Sequence, residues 1–466
     1  MCMRPRGSRP NLSRGEERMG LRHWVTGIGF LGAVWSPCAF AGGFYIQEQN
    51  AAGVGRAQAG DVAAADDAST IYFNPAGMTE LHGIALTLGA DVVIPGASLT
   101  DKGSRNTSTG AFIGNPASGG VSTPGGSNGG DPGSAVPIPD FFISAPLANT
   151  GLSIGLGMSA PFGLKSRYTS NSFARYDSID NLLETADFAP SLAWKVNDWL
   201  SIGAGLDEQY ALVKLTTALP NPLVPGGPTV ATDGNLALHG HDWATGFNVG
   251  ILLKPMDGTK IGISYRSAIT HNFNGRVTFA GLAGPLAARN GTVGAAAALN
   301  LPDIVAVGIS QQVTSKLTLL GEVDYTGWSK FSQIAIHLAD GSGTLVTPEN
   351  YRDTWSPSIG GEYQLTDTLK LRAGVKYDET PTVDGSRDTR VPDGNRVWVA
   401  GGLGWAFSDQ LSFDASYAHI FVTSSSINVT RSFYAGAPFP VPTTSNIVAS
   451  SAVKINIFTL GLNYLF

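Results

Sequence analysis

From His82 to the C-terminus, segments of about ten or more residues with alternating or small-and-apolar character are joined by connections of two kinds. Six are very short and polar: "ANTG" (Ala148 to Gly151), "VND" (Val196 to Asp198), "PMDGTK" (Pro255 to Lys260), "VTSK" (Val313 to Lys316), "LTDT" (Leu365 to Thr368) and "FSDQ" (Phe407 to Gln410). They read as hairpin turns. Between them lie long stretches rich in Gly, Ser, Pro and Thr, such as the one from Asn106 to Ser134, which read as surface loops. A water-soluble sandwich has no reason to sort its connections this way. A membrane barrel does, with short turns on one side and long loops on the other. Counting strands around the turns predicts an all-β fold, a transmembrane antiparallel β-barrel of about fourteen strands, with both termini on the short-turn side.

Composition agrees with a membrane setting. Charged residues make up 14% of the chain, against about 25% in ordinary soluble domains. Beyond the N-terminus no window offers the ~20 consecutive apolar residues of a spanning helix. A closed barrel is then the remaining way to satisfy every backbone group in lipid. The strands show the two-residue period this requires. In "LKLRAGVKY", Leu369, Leu371, Ala373, Val375 and Tyr377 share one face, which turns to lipid; Lys370, Arg372, Gly374 and Lys376 share the other, which turns to the lumen. The last segment places Phe458, Leu460, Leu462, Tyr464 and Phe466 on one face and ends on aromatics suited to a membrane interface.

The N-terminus carries an export pattern. Arg22 and His23 precede the apolar run Trp24 to Trp35, and "AFA" (Ala39 to Ala41) supplies a small-x-small cleavage site, so residues 1–41 are expected to be a signal peptide. The leader before Gly20 is long, and Met19 offers an alternative start. Both cysteines, Cys2 and Cys38, fall in this segment, which leaves the mature chain without disulfides or thiolate metal sites. A net charge of −6 gives no basis for nucleic-acid binding.

The block "GGFYIQEQNAAGVGRAQAGDVAAADDASTIYFNPAGMTEL" (Gly42 to Leu81), with "SAPFGLKSRY" (Ser159 to Tyr168) and "LRAGVKYDETP" (Leu371 to Pro381), resembles the FadL/TodX family of outer-membrane transporters for long-chain fatty acids and other hydrophobic compounds. The resemblance runs from the mature N-terminus to Phe466. It implies a hatch, residues 42–81, inside a barrel of residues 82–466. It also implies a kinked strand that opens a lateral hole beside the Asn-Pro-Ala of the hatch. On that basis Asn74, Pro75 and Ala76 are expected to cover a gap around Pro161, Phe162 and Gly163. Local chemistry is compatible: a proline removes a ladder hydrogen bond, a glycine permits a bulge, and Asn-Pro can also be an ordinary turn. Phe44 matches a family phenylalanine that reaches the lumen pocket.

Lys370, Arg372 and Lys376 admit two readings, a head-group site or an ion-pair lattice with Glu322, Asp324 and Glu362. His239 and His241 share a strand face, but no third metal ligand is nearby, and no metal or cofactor is expected. The aromatic-rich stretch Thr169 to Phe188 is a candidate external capture groove. The expected function is passive uptake of fatty acids or similar compounds, without enzymatic activity, by a monomer in the outer membrane of a Gram-negative bacterium with periplasmic termini. Its partners are a hydrophobic small molecule, outer-membrane lipid and the outer-membrane assembly machinery. Aromatic-hydrocarbon uptake and a structural or receptor role through the long loops are the alternatives.

Overall fold

The computed structural model describes residues 42–108, 120–122, 125–434 and 443–466; the expected signal peptide lies outside them. Fourteen antiparallel staves form one closed ring, as the connection pattern predicts. The first six are β1 (Ala85–Asp101), β2 (Val136–Leu147), β3 (Leu152–Ser159 and Gly163–Arg167), β4 (Asp180–Lys195), β5 (Leu200–Leu219) and β6 (Gly234–Met256). Next come β7 (Thr259–Arg266 and Ile269–Ala280), β8 (Gly291–Leu301 and Ile304–Gln312), β9 (Leu317–Thr326 and Gln333–Leu338) and β10 (Thr344–Pro348 and Thr354–Gln364). The last are β11 (Leu369–Asp378), β12 (Arg396–Ala406), β13 (Leu411–Val422 and Ser425–Phe433) and β14 (Thr443–Leu465). β1 closes on β14, from Ala85 opposite Leu465 to Asp101 opposite Ala449. The stretch Thr169 to Phe188 is a loop only as far as Ile179, because Asp180 begins β4.

The period-two reading holds along β11. Leu371, Val375 and Tyr377 are exposed, while Arg372, Lys376 and Asp378 are buried. Exposed Trp194, Trp199, Trp405, Phe407 and Phe466 sit near the short turns, and Trp243, Trp355 and Phe421 nearer the loop ends. These are the two aromatic belts of a membrane barrel.

Residues 42–81 are almost wholly buried and form three short helical turns, Ala51–Gly55, Asp61–Ala64 and Thr70–Phe73, and a 3-10 segment, Pro75–Glu80. Their bonds reach strands around the ring. The Ala68 amide donates to Thr87 on β1 (3.0 Å), and the Thr79 hydroxyl to Ser201 on β5 (2.7 Å). The Arg266 guanidinium on β7 donates to the Tyr72 carbonyl (3.0 Å), and the Ser416 hydroxyl on β13 to the Ala51 carbonyl (2.6 Å). Arg56 ties the segment to itself through Asp61 (2.8 Å) and Asp66 (2.5 Å), and to β10 through Glu362 (2.5 Å). A buried cation with several carboxylate partners fixes position, since removing one member leaves an uncompensated charge.

Candidate functional site: a broken strand, its seal and an apolar cavity

β3 breaks where the sequence places Pro161 and Gly163. Ser159 pairs with Asp187 and Gly163 with Glu184, so three residues on β3 face two on β4. That extra residue is a bulge around a proline that cannot donate to the ladder. Thr185 fills it: its hydroxyl accepts from the Phe162 amide (3.0 Å) and donates to the Phe162 carbonyl (2.7 Å). Exposure stops alternating here, and every residue from Ser159 to Leu164 is buried, so the strand bends inward.

The bend separates β3 from β2. The last rung between them is Phe141 opposite Met158. Beyond it, Val136–Asp140 pairs with β1 alone, and Gly163–Arg167 pairs with β4 alone. At the far end the Arg167 amide reaches the Pro132 carbonyl (3.0 Å). The wall therefore has a lateral gap between these two stretches. Unpaired backbone groups in a lipid-embedded wall cost several kcal/mol each unless protein or water covers them.

The cover is the start of the N-terminal segment. The Ile46 amide donates to the Pro161 carbonyl (2.8 Å), the Gly163 amide donates to the Phe44 carbonyl (2.9 Å), and Tyr45 lies opposite Phe162 as an antiparallel bridge. The Gln49 side chain donates to the Ala160 carbonyl (3.3 Å). This differs from the expectation that Asn74 to Ala76 seals the gap. That triplet rests on β5 and β6, where a side chain at Gly203 would meet the Ala76 amide at 2.4 Å and one at Gly250 would meet Asn74 Oδ1 at 1.9 Å. Asn74 caps the 3-10 segment by accepting from the Ala76 amide (3.1 Å), with Pro75 at the first helical position. Its Nδ2 donates to the carbonyls of Val62 (2.7 Å) and Ile251 (3.0 Å). The triplet is thus a structural clasp between segment and wall, one step removed from the gap.

Phe44 joins the seal to a cavity. Its ring packs edge-on to Trp328 (4.7 Å), Phe331 (5.4 Å) and Phe162 (6.3 Å), and it is 3% exposed. Beyond it lies a small, mainly apolar cavity of about 70 Å³, lined among others by Leu164, Leu183, Val213 and Phe273. Leu215, Leu238 and Arg390 line both this cavity and an outer groove of about 360 Å³ among the loops, so the two are neighbours that share these side chains as walls. At their junction Arg390 Nε is buried without a hydrogen-bond partner among the described residues, and Glu349 faces the same space. Burial pushes the Glu349 carboxyl well above its ordinary range; Asp388 adds to the push and Arg390 opposes it. Nearby, burial raises Asp177 but Arg431 and Arg390 outweigh it and hold the carboxyl at about 2.

The strand cations are elsewhere. Lys370 pairs with Glu362 (3.0 Å), Arg372 with Glu362 (2.9 Å) and Asp414 (2.5 Å), and Lys376 with Asp324 (2.7 Å) and Gln47 (2.5 Å). None lines the Phe44 cavity. Their expected role as ligand contacts gives way to the ion-pair lattice, because each is already committed to a buried carboxylate. The aromatic partners of Phe44 escaped the sequence reading: Trp328, Phe331 and Tyr351 come from interruptions within β9 and β10, where "GWSKF" breaks the two-residue period.

The family described as "Outer membrane protein transport protein (OMPP1/FadL/TodX)" matches residues 32–466. A long-chain fatty acid transport protein of Escherichia coli O6:H1 (strain CFT073) is 28% identical over 414 residues, 83% of this chain and 89% of the relative. Outer membrane protein P1 of Haemophilus influenzae (strain ATCC 51907) is 26% identical over 459 residues, 92% and 96% of the two chains. The crystal structure of a Pseudomonas aeruginosa FadL homologue superposes with a TM-score of 0.80 at 26% identity, covering 91% of this chain and all of that one. A Pseudomonas putida toluene transporter, TodX, shares the fold at a TM-score of 0.60 and 16% identity, over 90% and 98%.

Proposed function

The chain belongs to the OMPP1/FadL/TodX family of outer membrane transport proteins, which are transporters of hydrophobic compounds rather than enzymes, and from that premise we propose that it admits long-chain fatty acids through the side of its barrel. The protein sits in the outer membrane of a Gram-negative cell. Residues 42–81 act as the hatch. Cargo enters the groove among the loops, moves past Leu215 and Leu238 into the Phe44 cavity, and leaves through the gap between β2 and β3 when Phe44 to Ile46 withdraw.

The observation that carries this reading is the gap itself, sealed by backbone bonds from a segment that is not part of the wall. A lateral exit keeps an acyl chain out of water, at about 0.8 kcal/mol for each CH₂ left buried. Two neighbouring cavities suit an elongated molecule once the side chains they share move aside, and the Nε of Arg390 between them, which has no hydrogen-bond partner among the described residues, offers a donor to a carboxylate head group. Uptake of labelled oleate and labelled toluene by cells lacking their own transporter tests it, with Leu238→Arg to block the path. Oleate uptake that collapses in Leu238→Arg supports the proposal. Toluene uptake alone moves the substrate to aromatic hydrocarbons. Failure of both in a folded barrel favours the receptor role of the loops.

A further inference from the structure

Gly42, the residue that cleavage after Ala41 would make the first of the chain, is buried against a carboxylate. A substituent built on its Cα would lie 3.0 Å from Asp378 Oδ2 and 3.1 Å from Asp378 Oδ1. Asp378 is 2% exposed; its Oδ1 accepts from the Ser356 hydroxyl (2.7 Å), while Oδ2 has no hydrogen-bond partner among the described residues. Beside it, Asp393 Oδ2 accepts from the Gly43 amide (3.2 Å) and from the Thr380 hydroxyl (2.7 Å). Glu48 is 1% exposed, and its Oε2 also has no hydrogen-bond partner among the described residues.

The charges around this point do not balance. Arg396 binds Asp393 (2.6 Å) and stands 3.7 Å from Asp378. Lys376 is committed to Asp324 (2.7 Å). Three carboxyls, Asp378, Asp393 and Glu48, therefore share Arg396, with Lys376, itself held by Asp324, as the second cation that acts on Asp378. A buried carboxylate is tolerated when it is paired, and the cluster has carboxylate oxygens to spare for one more cation. Signal-peptide removal makes one, because an α-amine is protonated at neutral pH.

We propose that Asp378 and Asp393 form a receptor for the chain's own α-ammonium group, created when the signal peptide is cleaved after Ala41, so that maturation itself docks the hatch. The site accounts for the double glycine. A side chain at Gly42 would crowd Asp378, and Gly43 adopts a φ of +66° with Trp328 at 3.0 Å from where a Cβ would stand. Two residues on, Phe44 enters its aromatic cage and bonds the broken strand. An uncleaved chain carries a peptide bond where the ammonium belongs, so it lacks the charge that completes the site. The inference rests on the cleavage position and on this geometry, and is independent of what the barrel transports.

The test is the reactivity of the N-terminal amine in the purified, detergent-solubilised protein, read by mass spectrometry after brief acetylation near pH 8 and compared with the denatured chain. An opposite charge within about 4–6 Å shifts a pKa by about 1–3 units, so the native amine is expected to react about 10- to 1,000-fold more slowly. Asp378→Asn keeps the shape and removes the charge; in it the native rate should rise at least about tenfold while the barrel stays heat-modifiable. A serine inserted between Ala41 and Gly42 keeps Asp378 and moves the amine by about 3.8 Å, and should give the fast rate too; this variant decides the matter if Asp378→Asn does not fold. A first residue other than Gly42, a native amine within threefold of the denatured rate, or no response to either variant overturns the proposal.

Discussion

Replacing Asn74 by alanine removes a side chain with no exposed surface that makes three hydrogen bonds: one accepted from the Ala76 amide and two donated, to the Val62 and Ile251 carbonyls. Loss of a helix cap costs about 0.5–2 kcal/mol. Each donated bond contributes about 0.5–1.5 kcal/mol. The sum, about 1.5–5 kcal/mol, bears on the docking of the N-terminal segment and not on the ladder of the barrel, because the strands keep their own pairings. A central value of about 3 kcal/mol raises the open population of the segment about a hundredfold. Hydrogen exchange by mass spectrometry reads this directly, through amides such as those of Asn74 and Gly77, which bond within the segment to the Thr70 (2.8 Å) and Asn74 (2.9 Å) carbonyls. The expected result is exchange about a hundredfold faster over residues 62–78 with strand amides unchanged. Exchange within threefold of the parent protein would refute the assignment of Asn74 as the clasp. Equal acceleration in the strands would place the loss in the barrel instead.

Gly250→Ala puts a Cβ 1.9 Å from Asn74 Oδ1 and should accelerate the same amides, with no further effect when combined with Asn74→Ala, because both break one contact. Burial pushes the Asp67 carboxyl up to about 6 from an ordinary 3.8, against hydrogen bonds from Ser69 and with help from Asp66 and Asp414. The docked segment then holds this proton more tightly than the undocked one, so its stabilisation is full below about pH 3.8 and is lost as pH rises through about 6. The change is about 3 kcal/mol. Hydrogen exchange corrected for its intrinsic pH dependence should show this slope, and Asp67→Asn should flatten it. Lys370→Gln, which removes a partner of Glu362 but nothing from the Phe44 cavity, should leave the concentration dependence of uptake unchanged within about twofold, because it touches no ligand contact. A large rise in the half-saturating concentration would restore the head-group reading.

Much of the wall was legible in sequence because a strand's two-residue period and a turn's polarity are local properties. The alternation in Leu369 to Tyr377 and the six short turns carried over to the ring, with the turn expected at Pro255 to Lys260 shortened to Asp257 and Gly258. Pro161 and Gly163 marked the broken strand for the same reason, since proline disrupts a ladder whatever lies across from it. What seals the break was not legible. Tyr45 meets Phe162 only because the ring closes around the segment, and nothing near either residue encodes that pairing. Alternation likewise showed that Lys370, Arg372 and Lys376 share the lumen with Glu322, Asp324 and Glu362, but which charges meet depends on stagger between strands. Asp180 to Phe188 read as loop because its polar positions face the buried interior, where Asp187 meets Arg266 (3.2 Å).

The proposed exit for cargo is the gap that Phe44 to Ile46 cover. Tyr45 and Phe162 form a non-hydrogen-bonded antiparallel pair, whose Cα atoms stand about 4.5 Å apart, within the span a disulfide bridges. Tyr45→Cys with Phe162→Cys therefore gives a reversible lock in a chain whose own cysteines, Cys2 and Cys38, both lie before Gly42. The measurement is oleate uptake by cells carrying the double variant, first oxidised and then reduced. Uptake that stops in the locked state and returns on reduction is the predicted result. Undiminished uptake through the locked protein would mean that the cargo takes another way out.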